Sequence, residues 1–320
     1  MNRVLIDDFL SNDLQTCVIS GHVSPDGDCV GSVSALYLYI RKNFPEVDVK
    51  FYVERPKESL MFLPVLGEAL FEYDEESALP DLFITCDVSS LDRIGVVPEL
   101  FQKAKRTLCV DHHVSNQGFA DDNIIDPDAS SCAEVLFYCM DESKIDREIA
   151  EALYTGIVHD SGVFQYANTR PETMEAAAAL MRKGVNFCDI IENSFNIRTC
   201  VQNRVMGYVL SRCRQYSDGQ IVTGSITLEE MAAYGADKKD LDMIVSQLRL
   251  TQGAEAAVFI YQTGTNEFKV SLRSNSYLDV AEAASLFGGG GHVRAAGFTL
   301  AGDEDFVEKK IIEVLKTRLR

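Results

Sequence analysis

Apolar residues fall in short runs through the first third of the chain, each bounded by polar turn formers. Cys17–His22, Val49–Val53, Leu82–Asp87 and Thr107–Asp111 have the length and composition of buried strands. Between the first two, Val30–Asn43 carries apolar residues at helical spacing, and a shorter helical segment falls near Pro98–Ala104. Strand–helix–strand alternation predicts a parallel sheet with helices on both faces. About five strands would be an ordinary size for it. From about Cys132 to Arg214 the pattern is helical, most clearly over Ala150–Val158, Glu172–Arg182 and Cys200–Arg214. After Tyr216-Ser-Asp-Gly219 strands return at Gln220–Thr227, Ala256–Gln262 and Glu267–Arg273, the last two joined by a hairpin turn at Thr263-Gly-Thr-Asn266. Leu278–Phe287 and Asp305–Arg318 read as helices. The expectation is an α/β protein: a parallel-sheet domain over 1–190, a helical linker over 191–216 with Cys188–Arg214 as the joining helical stretch, and a smaller α/β domain over 217–320.

Charge narrows the choice of partners. Among 320 residues, Lys plus Arg is 30 and Asp plus Glu is 49, a net charge of −19. Binding long polyanions needs many Lys and Arg contacts to phosphate, so long duplex DNA is not an expected partner. A small phosphorylated ligand is still allowed, because bound cations invert the local field. The nine cysteines are odd in number and form no C-x-x-C pair. They read as reduced core thiols, Cys29 and Cys86 included, in a cytoplasmic protein. Met1 to Asp8 has no basic segment leading into a long apolar run, and no apolar stretch is long enough to span a bilayer. Neither a leader nor a membrane is expected.

Candidate chemistry concentrates at the strand ends. Gly21-His22-Val-Ser-Pro-Asp26-Gly-Asp28 closes the first strand, Cys86-Asp87 the third and Val110-Asp111-His112-His113 the fourth, while His159-Asp160 closes an apolar helix. In a parallel sheet these strand ends lie on one rim, where ligands collect. Imidazole and carboxylate together suit Mn²⁺, Fe²⁺ or Zn²⁺ better than Mg²⁺ or Ca²⁺. There are more donors than one ion needs. Two ions about 3.5–4 Å apart, sharing a carboxylate, are the usual arrangement for phosphoryl hydrolysis. A second cluster is Phe287-Gly-Gly-Gly-Gly-His292-Val-Arg294-Ala-Ala-Gly297. Its glycines would let backbone N–H groups approach an anion, and Arg294 can fork onto a phosphate. Arg273, on a strand, is placed either to reach a phosphate or to form a surface ion pair. The arginines at 198, 204, 212 and 214 read as a solvated face.

These segments resemble the DHH/DHHA1 phosphoesterase family over essentially the whole chain and in the family's order. The matching residues are His22-x3-Asp26-x-Asp28, Asp87, Asp111-His112-His113, Asp160 and Gly289-Gly-Gly-His292-x-x-Ala-Ala-Gly297. The nearest group is similar to the oligoribonuclease/pAp-phosphatases called NanoRNases. That resemblance implies a cleft between two domains, two Mn²⁺ ions, and hydrolysis of short oligoribonucleotides and of the 3′-phosphate of adenosine 3′,5′-bisphosphate. It also leaves open cyclic dinucleotides or linear pApA as substrates, and a nucleotide-binding module without turnover as a further option. One ion is implied to take His22, Asp26 and Asp87; the other Asp28, Asp87, His112 and Asp160. His113 is implied to orient the scissile phosphate or protonate the leaving oxygen, and Asp111 to orient an imidazole. Gly289, Gly290, Gly291, His292 and Arg294 would hold substrate, with Ser115, Asn116, Ser130 and Ser131 near the site. His159 departs from the usual residue before the aspartate and is read as a packing group; Ser161 stands where Thr is common. The basic Ser-Arg-Lys-Lys type motif of related pyrophosphatases does not occur, and a further nucleic-acid domain would not fit. Oligomeric state, a homodimer included, is left open.

Overall fold

The computed structural model describes residues 4–10, 14–73 and 79–320. The first three residues of the segment read for a leader lie outside these. The chain divides into two units, Met1–Ile197 and Arg198–Arg320. Among the described residues no helix is long and apolar enough to cross a membrane.

The first unit is built on five parallel strands: β1 (Thr16–Ser20), β2 (Asp48–Tyr52), β3 (Leu82–Cys86), β4 (Arg106–Asp111) and β5 (Asp122–Ile125). Their spatial order is β2-β1-β3-β4-β5. Both faces of the sheet are covered, so successive residues of the central strand β3, Leu82 through Cys86, are all buried. Cys17 and Ile19 face helices α1 (Gly27–Asn43), α3 (Cys132–Cys139) and α4 (Arg147–Asp160). Val18 faces the opposite layer with Phe83, Leu100 and Phe101, the last two from α2 (Pro98–Lys103). Helix α5 (Pro171–Arg182) follows, with proline at its first position. The chain leaves β1 towards β2 and then crosses back to β3 on β1's other side. That reversal is a topological switch point, and the carboxyl ends of β1 and β3 meet there.

Helix α1 is buried from Gly27 through Ile40, so it needs a flat neighbour. Helix α4 provides one because two glycines let the backbones touch. A Cβ on Gly31 would lie 2.6 Å from the Ala152 carbonyl and 2.7 Å from the Gly156 nitrogen; one on Gly156 would lie 2.7 Å from Asp28 Oδ1.

The stretch 188–214, expected as one helical connection, is broken. Helix α6 (Phe187–Ile191) runs into a π-turn at Glu192–Asn196, and α7 (Cys200–Ser211) starts afresh. Thr199 caps α7 by accepting from the Gln202 amide while Gln202 reaches back to the Thr199 N–H. That capping box makes a helix start. The second unit is a mixed sheet in the order β10-β11-β9-β8-β7-β6, from β6 (Arg214–Tyr216), β7 (Ile221–Ile226), β8 (Ala256–Gly264), β9 (Glu267–Ser274), β10 (Gly290–His292) and β11 (Ala295–Ala301). Helices α7, α8 (Leu228–Ala233) and α9 (Ile244–Arg249) pack on one face against Val222 and Phe259. Helices α10 (Val280–Ser285) and α11 (Glu304–Lys316) pack on the other against Val258 and Val270. Strands β5, β6 and β10 escape a hydrophobic reading because they are short and expose much of their length.

Two outcomes follow from this packing. Gly156→Ala should destabilise the fold by about 1–3 kcal/mol through overpacking, and should also displace Asp28; thermal unfolding and metal titration would register both. Asp81 latches the start of β1. Its carboxylate bonds Lys105 Nζ at 2.5 Å and the Gln15 and Thr16 amides at 3.1 and 3.0 Å. Lys105 first, then those amides, lower its pKa to about 2. A folded pKa below the unfolded value of about 3.9 gives stability that is present above the unfolded pKa and lost as pH falls through the folded one. Asp81→Asn should therefore melt earlier than wild type at neutral pH, and the gap should close as pH drops from about 4 towards 2. A constant gap across that window would leave the charge without a role.

Candidate metal centre

Side chains from four separate chain segments converge beyond the carboxyl ends of β1, β3 and β4. His22 follows β1. Its Nδ1 donates to the Val23 carbonyl at 2.8 Å, which turns Nε2 towards Asp26 Oδ1 (3.7 Å) and Asp87 Oδ2 (3.4 Å). Asp26 caps α1, accepting from the Asp28 and Cys29 amides at 3.1 Å each. Asp28, fully buried, is held by the first turn of α3: Oδ2 accepts from the Cys132 amide at 2.6 Å and Oδ1 from the Ala133 amide at 3.0 Å. Asp87 follows β3 with φ of +61°, a left-handed conformation that a non-glycine residue adopts at a cost. Its amide donates to the Val110 carbonyl on β4.

His112 faces the same centre from β4. Its Nδ1 donates to the Ala129 carbonyl at 3.3 Å, and Nε2 lies 3.2 Å from Asp160 Oδ2, 3.5 Å from Asp87 Oδ1 and 3.8 Å from Asp28 Oδ2. Asp160 closes α4. Burial first, then the charges of Asp87 and Asp26, outweigh His112 and raise its pKa to about 6. Burial opposes the His112 imidazolium, but Asp160 and Asp87 outweigh it and raise that pKa to about 12. Both shifts are upward, as expected of crowded carboxylates drawing in whatever positive charge is present.

The donor set fits a divalent cation. Both imidazoles give Nδ1–H to backbone carbonyls and aim Nε2 inward, the orientation metal-bound histidines require. Asp87 Oδ1 is buried without a hydrogen-bond partner. One oxygen of Asp87 faces His22 and the other faces His112. Ligand atoms of Asp28, His112 and Asp160 lie within 4.8 Å of one another, as do those of His22, Cys29 and Asp87 and those of Asp87, His112 and His113. Burial raises the Cys29 pKa to about 12, which keeps it a thiol at neutral pH.

His113 differs from His112. Its ring is half-buried, and Nδ1 donates to Asp111 Oδ1 at 2.8 Å. The imidazole that Asp111 orients is therefore His113, while the metal-facing His112 is oriented by Ala129. Asn116, expected near substrate, has a different task. It is buried, and its amide donates to Asp111 Oδ2 at 2.7 Å and to the Val88 carbonyl at 3.0 Å, while its oxygen accepts from Gly118 N at 2.9 Å. With its donors and acceptor engaged, it holds the carboxylate that holds His113. Ser115 is exposed in the turn between them. His159 packs as read: its ring lies tilted against Phe195 with centroids 4.4 Å apart, and burial lowers its pKa to about 4.

In the second unit the glycine run is a hairpin more than a loop, since Gly290–His292 pairs with Ala295–Gly297. A Cβ on Gly289 would lie 2.3 Å from the Gly297 carbonyl, and one on Gly291 would lie 2.4 Å from the Ala295 carbonyl, so both glycines are demanded by strand packing. Gly290 has open space, and Gly290 through His292 are exposed. Arg294 donates to the carbonyls of Ser276 and, at 3.2 Å, Leu278. Any phosphate it binds must compete with these. Arg273, on β9, sits opposite Ala295 and donates to the Leu272 carbonyl.

Three contributors to the centre carry no sequence signal. The Ala129 carbonyl is backbone. Asn168 bridges the Ser130 and Asp160 carbonyls at 3.0 and 3.1 Å. Arg93, at the end of a 3-10 turn over Leu91–Arg93, brings Nη2 to 3.5 Å from His22 Nδ1.

Asn116→Ala should leave Asp111 Oδ2 without its donor. We expect a stability loss of about 1–3 kcal/mol, read by denaturant unfolding, and slower turnover with bound metal retained. A variant that loses metal instead would show that Asn116 supports His112.

Comparison with known proteins agrees with this geometry. Residues 16–157 match the model of the DHH family, N-terminal domain, and residues 219–319 that of the DHHA1 domain. A Thermus thermophilus protein named bifunctional oligoribonuclease and PAP phosphatase NrnA is 32% identical over 307 residues, covering 94% of this chain and 89% of its own. The Bacillus subtilis protein of the same name is 26% identical, covering 89% of each chain. A crystal structure of an exopolyphosphatase-related protein from Bacteroides fragilis superposes with a TM-score of 0.88 at 28% identity, covering 98% of this chain and 95% of its own. With both domain models matched in order and the strand-end aspartates and histidines gathered at one centre, the chain belongs to the DHH/DHHA1 phosphoesterase family.

Proposed function

We propose that this protein is a phosphoester hydrolase that uses two divalent ions, Mn²⁺ in preference, to cleave short oligoribonucleotides to mononucleotides and to remove the 3′-phosphate of adenosine 3′,5′-bisphosphate. The observation that carries the reading is Asp87, with one oxygen towards His22 and the other towards His112. His22, Asp26 and Asp87 would hold one ion, and Asp28, Asp87, His112 and Asp160 the other. Bound there, the pair would polarise phosphate oxygens and lower the pKa of a water to near neutrality. The names of the relatives support the substrate class.

The chain's own residues supply orientation and a proton. Asp111, the largest influence, raises the His113 pKa against the opposing effect of burial. Asp111 thereby favours the protonated ring, with Nδ1 tied down and Nε2 available to protonate the leaving oxygen. In the second unit, Gly290, His292 and Arg294 would hold the far nucleotide or a terminal phosphate. The net charge of −19 offers a longer strand no general attraction.

The test is a turnover panel with Mn²⁺ on a dinucleotide, a pentanucleotide, adenosine 3′,5′-bisphosphate and a cyclic dinucleotide. Fast release of mononucleotides and of the 3′-phosphate is expected; turnover of the cyclic substrate alone, or none at all, would overturn the assignment. Asp87→Ala should abolish activity on every substrate. Arg294→Ala should raise KM for the dinucleotide, and lower kcat too if its contact tightens in the transition state. Bis-p-nitrophenyl phosphate, which has no remote group to hold, should be much less affected. Equal losses on both would place Arg294 at the reacting phosphate.

A further inference from the structure

Behind the metal-facing side chains lies a buried carboxylate that the chemistry above does not use. Glu134, in the first turn of α3, is wholly buried. It accepts from Ser130 N at 3.0 Å and, at 2.7 Å each, from Ser130 Oγ, Thr173 Oγ1 and Arg170 Nε. Arg170 in turn donates from Nη2 to Asp126 Oδ2 at 2.8 Å. The pair thus grips both ends of one short segment, residues 126–131.

That segment positions three metal-facing groups. The Ala129 carbonyl fixes the His112 ring through Nδ1. The Ser130 carbonyl shares the Asn168 amide with the Asp160 carbonyl. Ser131 caps α3, accepting from the Glu134 amide, and the next two amides of the helix hold Asp28. None of the three is held by a contact from Glu134 or Arg170 directly. Each depends on where the segment lies.

We propose that Glu134 and Arg170 are positioning residues for the metal centre, acting through residues 126–131 to set the aim of His112, Asp160 and Asp28. A buried ion pair is a poor way to gain stability, because desolvation offsets its attraction and apolar residues of similar size often serve as well. What it supplies is direction. Four donors on one carboxylate fix the segment in a way that apolar packing does not, and a metal site tolerates little error in ligand aim. The proposal rests on the reading that His112, Asp160 and Asp28 hold a divalent ion.

The experiment is a Mn²⁺ titration of the full chain, with free Mn²⁺ read by electron paramagnetic resonance. It compares wild type, Glu134→Gln, Thr173→Val and the double variant Glu134→Leu with Arg170→Met. Thermal unfolding is recorded for each. Wild type that binds no Mn²⁺ would sink the metal reading itself. If wild type binds, Glu134→Gln and the double variant should lose about 10-fold or more in one of the two binding steps, the range seen when the partners of metal ligands are removed. Thr173→Val should show a smaller loss in the same step. The step assigned to the His22 half should change far less. The double variant should regain melting temperature relative to Glu134→Gln without regaining affinity. Folded variants that melt earlier yet bind Mn²⁺ as tightly as wild type in both steps would overturn the proposal and leave the pair a purely structural role.

Discussion

Four carboxylates crowded around two imidazoles are the constraint on which the first unit depends. Four negative charges crowded in a partly dry site are costly unless positive charge lies among them. The fold supplies some of it. The first turn of α3 points amide hydrogens at Asp28, and the first turn of α1 does so at Asp26. The remainder is left to protons on His22 and His112 or to bound cations. A cation bound there would therefore be linked to the folding of this unit.

The backbone accepts local strain to bring this crowding about. Asp87 sits at a positive φ directly after a buried strand. A side chain in extended continuation of β3 would keep the strand's alternation and project to one face of the sheet. The left-handed turn instead leaves Asp87 between the two imidazoles, where the ends of β1, β3 and β4 converge. The two ladders that flank β3 and the Asp87 N–H to Val110 bond hold that turn in place. Glycines at 31 and 156 bring α1 and α4 into backbone contact, and so bring Asp28 and Asp160, at the start of one helix and the end of the other, to the same rim.

The second unit solves a different problem. Its sheet is mixed, and its glycine run forms the edge hairpin β10–β11. Two of those glycines are required because a neighbouring carbonyl occupies the place of a side chain. Gly290 and His292 are exposed, and Gly290 has open space where a side chain would stand.

Much was legible in the chain before any coordinates. Hydrophobic periodicity is local, so four of the five parallel strands and the long helices could be read directly. Strand ends lie on one rim by geometry alone, which is why His22, Asp87 and Asp111-His112-His113 could be grouped without distances. What the sequence could not determine is which group holds which. Asp28 meets the α3 amides across 104 positions of chain, and Thr173 meets Glu134 across 39. No periodicity spans such separations. The choice of Ala129 to hold His112, the attachment of Asp111 to His113, the task of Asn116 and the break before Thr199 all depend on backbone carbonyls and amides, which every residue carries alike. Residue types along the chain decided what chemistry was available. Only tertiary packing decided its aim, because aim is set by hydrogen bonds between segments that the sequence keeps far apart.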